Sequence, residues 1–87
     1  MEENTREHTV GEVLIGVNFN PSKNTKVDKV KELCAELADI LDQHMSEVFE
    51  GEGSEAKKDL LAMIGNKALG DILTAQMMIV KAITFNL

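Results

Sequence analysis

Residues 55–84 carry apolar side chains at helical spacing on two faces, and this double pattern most constrains how the chain folds. One face has mostly small residues three or four apart: Gly65, Ala68, Ile72, Ala75, Ile79 and Ala82. The other face has larger side chains: Leu61, Ile64, Leu69, Leu73, Met77, Met78, Val80 and Ile83. Because a helix that is apolar nearly all round must be buried nearly all round, one neighbouring helix cannot cover both faces.

A first helix is predicted over about residues 25–50, where apolar side chains recur at helical spacing. They are Val27, Val30, Cys34, Leu37, Leu41 and Val48. The turn after Pro21 offers three candidate N-caps for this helix: Ser22, Asn24 and Thr25. Thr25 with Asp28 resembles a capping box, with Asp in place of the usual Glu.

The segment EGEGSE separates the two predicted helices, and Ser54 within it is a predicted cap for a second helix over about residues 55–84. Residues 10–19 are β-branched, apolar and interrupted by two glycines, so an extended segment is predicted there. Residues 1–9 are polar and predicted to be a flexible tail. The predicted fold is therefore mainly α: residues 10–87 form one antiparallel two-helix hairpin with a short extended N-terminal segment.

The apolar face that the hairpin leaves uncovered predicts assembly into a homo-oligomer, because a lone hairpin of this size has little core. Gly65 and Gly70 each cost roughly 1 kcal/mol inside a helix relative to Ala. Their presence in the second helix therefore indicates that another backbone packs closely there. The alternative is that residues 10–19 fold back and cover the second face of the helix.

Four lysines fall within nine positions of a chain whose net charge is −6: Lys23, Lys26, Lys29 and Lys31. The overall negative charge disfavours binding to polymeric nucleic acid, but a local basic cluster can hold a small anion. Lysines at the start of a helix oppose its dipole, and a bound phosphate relieves that conflict. The nearby ring of Phe19 can stack on a base. The alternative is a solvated basic patch with Phe19 in the core.

Other classes of function have little support in the sequence. No spacing of His, Cys or Glu matches a zinc site, and no nucleophile has an evident base partner, so neither an enzyme nor a cofactor is predicted. His44 is interpreted as an interface or edge residue. The single cysteine, Cys34, rules out an intramolecular disulfide and favours a reducing compartment. No apolar run approaches the ~18 residues of a membrane span, and no signal peptide is evident, so a cytosolic protein is predicted.

Two stretches, FNPSKNTKVDKVKELCAELADIL and NKALGDILTAQMMIVKAITF, resemble the helical-hairpin domain of phage anti-CBASS proteins, which are sponges for cyclic oligonucleotides. The resemblance covers residues 16–85. It starts with an aromatic residue near a proline, Phe19 and Pro21, and continues with a basic residue in the first helix, Lys31. It closes on a pattern in the second helix formed by Ala75, Gln76, Met77, Met78, Lys81 and Ala82. Met78 and Gly70 stand where the family commonly has Trp and Thr.

The resemblance implies a phage anti-defence protein in the cytoplasm of the infected bacterial host. Such a protein sequesters cyclic dinucleotides such as 3′,3′-cyclic GMP–AMP without hydrolysing them, and so blocks activation of CBASS effectors. It also implies a homohexamer built as a trimer of dimers, with each dinucleotide in a pocket shared by two protomers. The alternative function is a helical oligomerisation or protein-interaction module with no nucleotide ligand.

The resemblance also assigns roles to individual residues. Phe19 stacks on the bases and Lys31 pairs with the phosphates. Further candidates for the dinucleotide site are Pro21, Lys23 and Lys26. Some family members hold cyclic trinucleotides at a separate three-fold site, for which Asn66 and Lys67 are the candidates here.

Overall fold

The computed structural model describes residues 7–85, and within this range the protein is mainly helical, with three helices and no strand. The helices are α1, Val10–Ile15, α2, Thr25–Glu50, and α3, Glu55–Ile83. The predicted mainly α fold is confirmed. The predicted ranges of the two long helices, about 25–50 and 55–84, lie within one residue of the observed bounds. Residues 1–6 of the predicted tail and residues 86–87 lie outside the described residues.

The prediction of an extended segment over residues 10–19 is wrong, because Val10–Ile15 is helical. Thr9 and Glu12 form a capping box: the Glu12 backbone N–H donates to Thr9 Oγ1 at 3.1 Å, and the Thr9 backbone N–H donates to the Glu12 carboxylate at 2.9 Å. Gly16 ends the helix with a left-handed backbone, φ 73°, which glycine adopts without a steric cost. The glycines thus lie within and just after a short helix rather than preventing one.

Gly11 allows α1 to pack closely against α2. A Cβ atom at this position would collide with the backbone carbonyl oxygen of Ala35. The Gly11 N–H donates to Asp39 Oδ1 at 2.6 Å, which fixes α1 to α2 across 28 residues of sequence. Residues 10–15 therefore cover mainly α2, whereas Ile64 on the second face of α3 stays 62% exposed.

The cap of α2 is Asn24, one of the three candidates, and its side chain accepts a hydrogen bond from the Lys26 backbone N–H at 2.8 Å. Thr25 is already the first helical residue, so the predicted capping box between Thr25 and Asp28 is wrong. The Asp28 carboxylate instead accepts a hydrogen bond from Asn20 Nδ2 at 2.8 Å. This bond ties the loop between α1 and α2 to the first turn of α2.

The two long helices pack along each other. Ser54 caps α3, as predicted, by accepting a hydrogen bond from the Lys57 backbone N–H at 3.1 Å. Near this end Met45 of α2 covers Gly65 of α3, where a Cβ atom would lie 2.7 Å from Met45 Cε. Val27 of α2 lines a common cavity with Val80 of α3. Gly65 thus packs closely against Met45 within one protomer, whereas a Cβ atom at Gly70 would meet open space.

The molecule is thin, and its Cα atoms extend over 50 × 36 × 12 Å. One helix is about 4.6 Å across its Cα atoms, so this smallest dimension has room for few layers of helices. The buried apolar residues among those described are accordingly few: Ile15, Val27, Ala35, Ala38 and Met45. None of the described helices combines the length and apolar character needed to cross a membrane.

Candidate ligand-binding site

A cavity of about 410 Å³ lies where three parts of the chain meet. Its walls come from the end of α1 with the following loop, the start of α2 and the last turns of α3. Most of the lining side chains are apolar, among them Ile15, Val27, Leu73 and Val80. A concave, mostly apolar site with a few polar groups is the usual form of a small-molecule site.

Lys31 contributes a buried positive charge to this cavity. The residue is only 6% exposed, and its Nζ donates to the carbonyl oxygen of Gly16 at 3.2 Å and to that of Phe19. Among residues 7–85, no carboxylate forms an ion pair with Lys31. Because an ammonium group has three donors, two carbonyl oxygens leave one N–H and the full charge available to an anion.

Phe19 lies at the mouth of the same cavity, and its residue is 70% exposed. Lys31 Nζ lies 5.3 Å from the centroid of the Phe19 ring, within the range of a cation–π interaction. The alternative prediction, which placed Phe19 in the core and the lysines in solvent, is wrong for both of these residues. A ring and a buried cation side by side can contact the base and the phosphate of one ligand.

Gln76 is a lining residue that sequence reasoning did not select as a site residue. It is 4% exposed, and its side chain makes no hydrogen bond to any other residue in the range 7–85. A signal for it exists in the sequence, because Gln76 interrupts the apolar series between Leu73 and Val80 at helical spacing. A buried amide without a partner costs about 1–3 kcal/mol, so this position favours a ligand that supplies the missing hydrogen bonds.

The other candidates for the dinucleotide site differ in whether they line the cavity. Pro21 does so. Lys23 and Lys26 are exposed and are not among its lining residues. Lys29 is also exposed, and its Nζ lies 3.4 Å from a carboxylate oxygen of Glu32. Of the four clustered lysines, only Lys31 therefore has its charge in the cavity.

The two candidates for a trinucleotide site lie elsewhere, on the exposed surface in the middle of α3. Lys67 Nζ donates to both carboxylate oxygens of Asp71, at 3.0 and 3.1 Å. Lys67 borders a shallow apolar depression with Met63, and Asn66 is exposed beside it. The structure does not bring Asn66 or Lys67 to the cavity that contains Lys31.

Three further features bear on metal binding and nucleophilic chemistry in the described part of the chain. No group of three or more His, Cys, Asp or Glu side chains within residues 7–85 could hold a metal ion. Burial raises the pKa of the Cys34 thiol above its ordinary value of 9.0, which opposes a role as a nucleophile. His44 borders an apolar groove with Ile40 and Ile72, and no acid–base partner lines that groove with it except Asp71.

Comparison of the chain with protein-family models, with curated proteins and with solved structures gave no significant match.

Proposed function

We propose that this chain is a phage anti-defence protein that binds and sequesters cyclic dinucleotides, such as 3′,3′-cyclic GMP–AMP, in the cytoplasm of an infected bacterium. The observation that carries this proposal is the buried charge of Lys31, which has no carboxylate partner among residues 7–85 and lies 5.3 Å from the ring of Phe19. Trapping the second messenger would keep CBASS effectors inactive.

The energetics of a buried charge favour an anionic ligand. An ammonium group removed from water is costly unless it is paired, and two neutral carbonyl oxygens compensate the cost of Lys31 only in part. A phosphate supplies the missing negative charge through a charge-assisted hydrogen bond, which is stronger than a bond between neutral groups. Phe19, exposed at the mouth of the cavity, supplies a surface for a base at about 1–3 kcal/mol per stacked base.

Sequestration requires tight binding and no turnover. Nanomolar affinity corresponds to about −12 kcal/mol, which a few stacked bases and charge-assisted contacts in a preformed cavity can supply. The raised pKa of the Cys34 thiol disfavours this cysteine as a nucleophile. Recovery of intact ligand after heat denaturation of the complex tests this part of the proposal, and a linear product would contradict it.

In this proposal α2 and α3 form an antiparallel hairpin that assembles into a homohexamer, a trimer of dimers. The exposed apolar side chains of Leu37 and Ile40 border one groove with Ile72 and support an assembly, because contiguous exposed apolar surface is unusual on a monomer. A two-fold axis would give each dinucleotide two copies of Lys31, which matches the two-fold symmetry of a cyclic dinucleotide. A cyclic trinucleotide site at Asn66 and Lys67 belongs to the same proposal.

Isothermal titration calorimetry with a panel of cyclic dinucleotides is the direct test. We expect at least one member to bind with nanomolar affinity, and native mass spectrometry should then count three ligands per six chains. The proposal fails if no member of the panel binds more tightly than about 10 μM, which corresponds to roughly −7 kcal/mol.

A second candidate function, a helical oligomerisation or protein-interaction module, is favoured by one specific observation. Large apolar side chains stay exposed on both long helices, including Ile40 at 67% and Met63 at 63%. Such a module would form a stable oligomer in native mass spectrometry with no response to any nucleotide, and Lys31→Ala would leave partner binding unchanged.

A further inference from the structure

Gln76 and Lys31 are the two buried polar or charged side chains identified among the described residues, and both line the same cavity. They differ in the hydrogen-bond partners that the protein provides. Lys31 Nζ has two carbonyl acceptors, whereas the Gln76 amide has no hydrogen-bond partner within residues 7–85. Because buried polar groups are normally hydrogen-bonded, Gln76 requires an explanation that the protomer does not provide.

The amide of Gln76 places a chemical demand on its partner. It has an N–H₂ donor and a carbonyl acceptor side by side, and both must be satisfied once the cavity is filled. A phosphate only accepts hydrogen bonds and would leave the amide oxygen unpaired. The edge of a nucleobase presents a donor and an acceptor next to each other, as adenine does with N6 and N7, and pairs with both halves of a Gln side chain.

The positions of the three side chains agree with this division of roles. Lys31 comes from α2 and attracts the phosphate, while Gln76 comes from α3 on another wall of the cavity. A base that stacks on Phe19 uses its face for the ring and keeps its edge free for the interior of the cavity. A ligand of this shape needs a polar group in the interior of the cavity, and Gln76 is a neutral polar side chain buried in the cavity lining.

We propose that Gln76 is a specificity-determining residue that recognises the base edge of the ligand, while Lys31 holds its phosphate. This inference rests on the proposed function, because it assigns a second contact within the same cavity. It adds that the ligand must carry a nucleobase, so that an anion without a base cannot satisfy the site.

The test is a titration of wild type, Gln76→Met and Gln76→Leu with the cyclic dinucleotide that wild type binds most tightly. Gln43→Met is the matched control, because Gln43 is exposed on α2 and its amide donates a hydrogen bond to the Glu47 carboxylate at 3.4 Å. We expect both Gln76 variants to bind about 10- to 100-fold more weakly and the control to bind like wild type. The melting temperature of the free Gln76→Met protein should equal or exceed that of wild type, since a buried group without a partner has been removed.

The salt dependence of binding separates a base contact from a phosphate contact. An ion pair with a phosphate weakens as ionic strength rises, whereas a neutral hydrogen bond to a base does not. We therefore expect wild type and Gln76→Met to lose affinity in parallel between low and high salt. A flatter dependence in the variant would mean that Gln76 holds the phosphate and would overturn the assignment to the base.

Other results of the binding and melting experiments would also test the role of Gln76. Equal binding by wild type and both Gln76 variants would overturn this inference and leave the proposed function intact. A lower melting temperature together with weaker binding would mean that Gln76 stabilises the fold, which would also overturn it. If wild type binds no cyclic dinucleotide, the proposed function fails first, and the inference fails with it.

Discussion

Two lysines of this chain show how differently the same side chain can be placed. Lys31, at the α1 end of the molecule, is 6% exposed and donates to backbone carbonyl oxygens. Lys67, in the middle of α3, has a side chain that is 74% exposed and pairs with Asp71 at 3.0 Å. A buried charge without a carboxylate partner has free energy to gain from an anion, whereas a solvated and neutralised charge has little to gain. The comparison therefore favours the α1 end as the ligand site.

The largest effect is expected from Lys31→Met compared with Lys67→Met. Removing the buried ammonium group eliminates a charge-assisted contact with the phosphate, so affinity for a cyclic dinucleotide should fall at least 100-fold, or about 2.7 kcal/mol. Lys67→Met should change this affinity less than two-fold. Calorimetry measures both, and circular dichroism verifies that each variant keeps its helices. Equal losses in the two variants would remove the distinction between the lysines.

The sequence predicted the helices well because the determinants of α2 and α3 are local: apolar spacing, the EGEGSE break and the Ser54 cap. It did not predict α1, because Gly11 was interpreted as a break whereas tertiary packing requires it. A local signal was available in the T-V-G-E sequence that forms the capping box at Thr9.

The sequence predicted Phe19 and Lys31 as candidates from charge, ring chemistry and resemblance, and Lys31 Nζ lies 5.3 Å from the centroid of the Phe19 ring. Their separation from Lys23 and Lys26 could not be predicted, because it depends on which side of α2 the loop from Gly16 to Asn24 covers. Gln76 was missed for a related reason. One polar residue in an apolar series becomes informative only when packing shows that the series is buried.

Two glycines extend the comparison from ligand binding to stability. Gly11→Ala at the α1 end drives a Cβ atom into the Ala35 carbonyl group, so unfolding should become about 1–3 kcal/mol easier. Gly70→Ala in the middle of α3 meets open space and should stabilise the helix by about 1 kcal/mol. Urea unfolding followed by circular dichroism measures both changes.

Each glycine variant can contradict its expectation. If Gly11→Ala leaves stability unchanged, the backbone of α1 does not lie against the Ala35 carbonyl group of α2. Gly70→Ala carries more information, because destabilisation there would mean that a partner helix packs against Gly70 in an oligomer, and the middle of α3 would then be an interface.

Removal of the Phe19 ring should have a smaller effect on binding. This variant distinguishes stacking on a base of the ligand from hydrophobic packing within the protein. Phe19→Ala should weaken binding of a cyclic dinucleotide about 10-fold, within the ~1–3 kcal/mol of one stacked base. Because Phe19 is 70% exposed, its removal should change the melting temperature little. Phe49→Ala, at the other end of α2, is the matched control and should leave affinity unchanged. Affinity unchanged in Phe19→Ala would show that the ring does not contact the ligand.

The smallest effect is expected from the Lys67–Asp71 pair itself. Both side chains are well exposed, at 74% and 64%, and the lysine precedes the acid, which is the less favourable order on a helix. Asp71→Asn should therefore change the free energy of unfolding by about 0.5 kcal/mol or less, and 1 M salt should abolish the difference. The same variant tests the trinucleotide hypothesis, because it frees Lys67 from its carboxylate. If Asp71→Asn strengthens binding of a cyclic trinucleotide and Lys67→Met abolishes it, the middle of α3 is a second anion site, and burial is not the property that separates the two lysines.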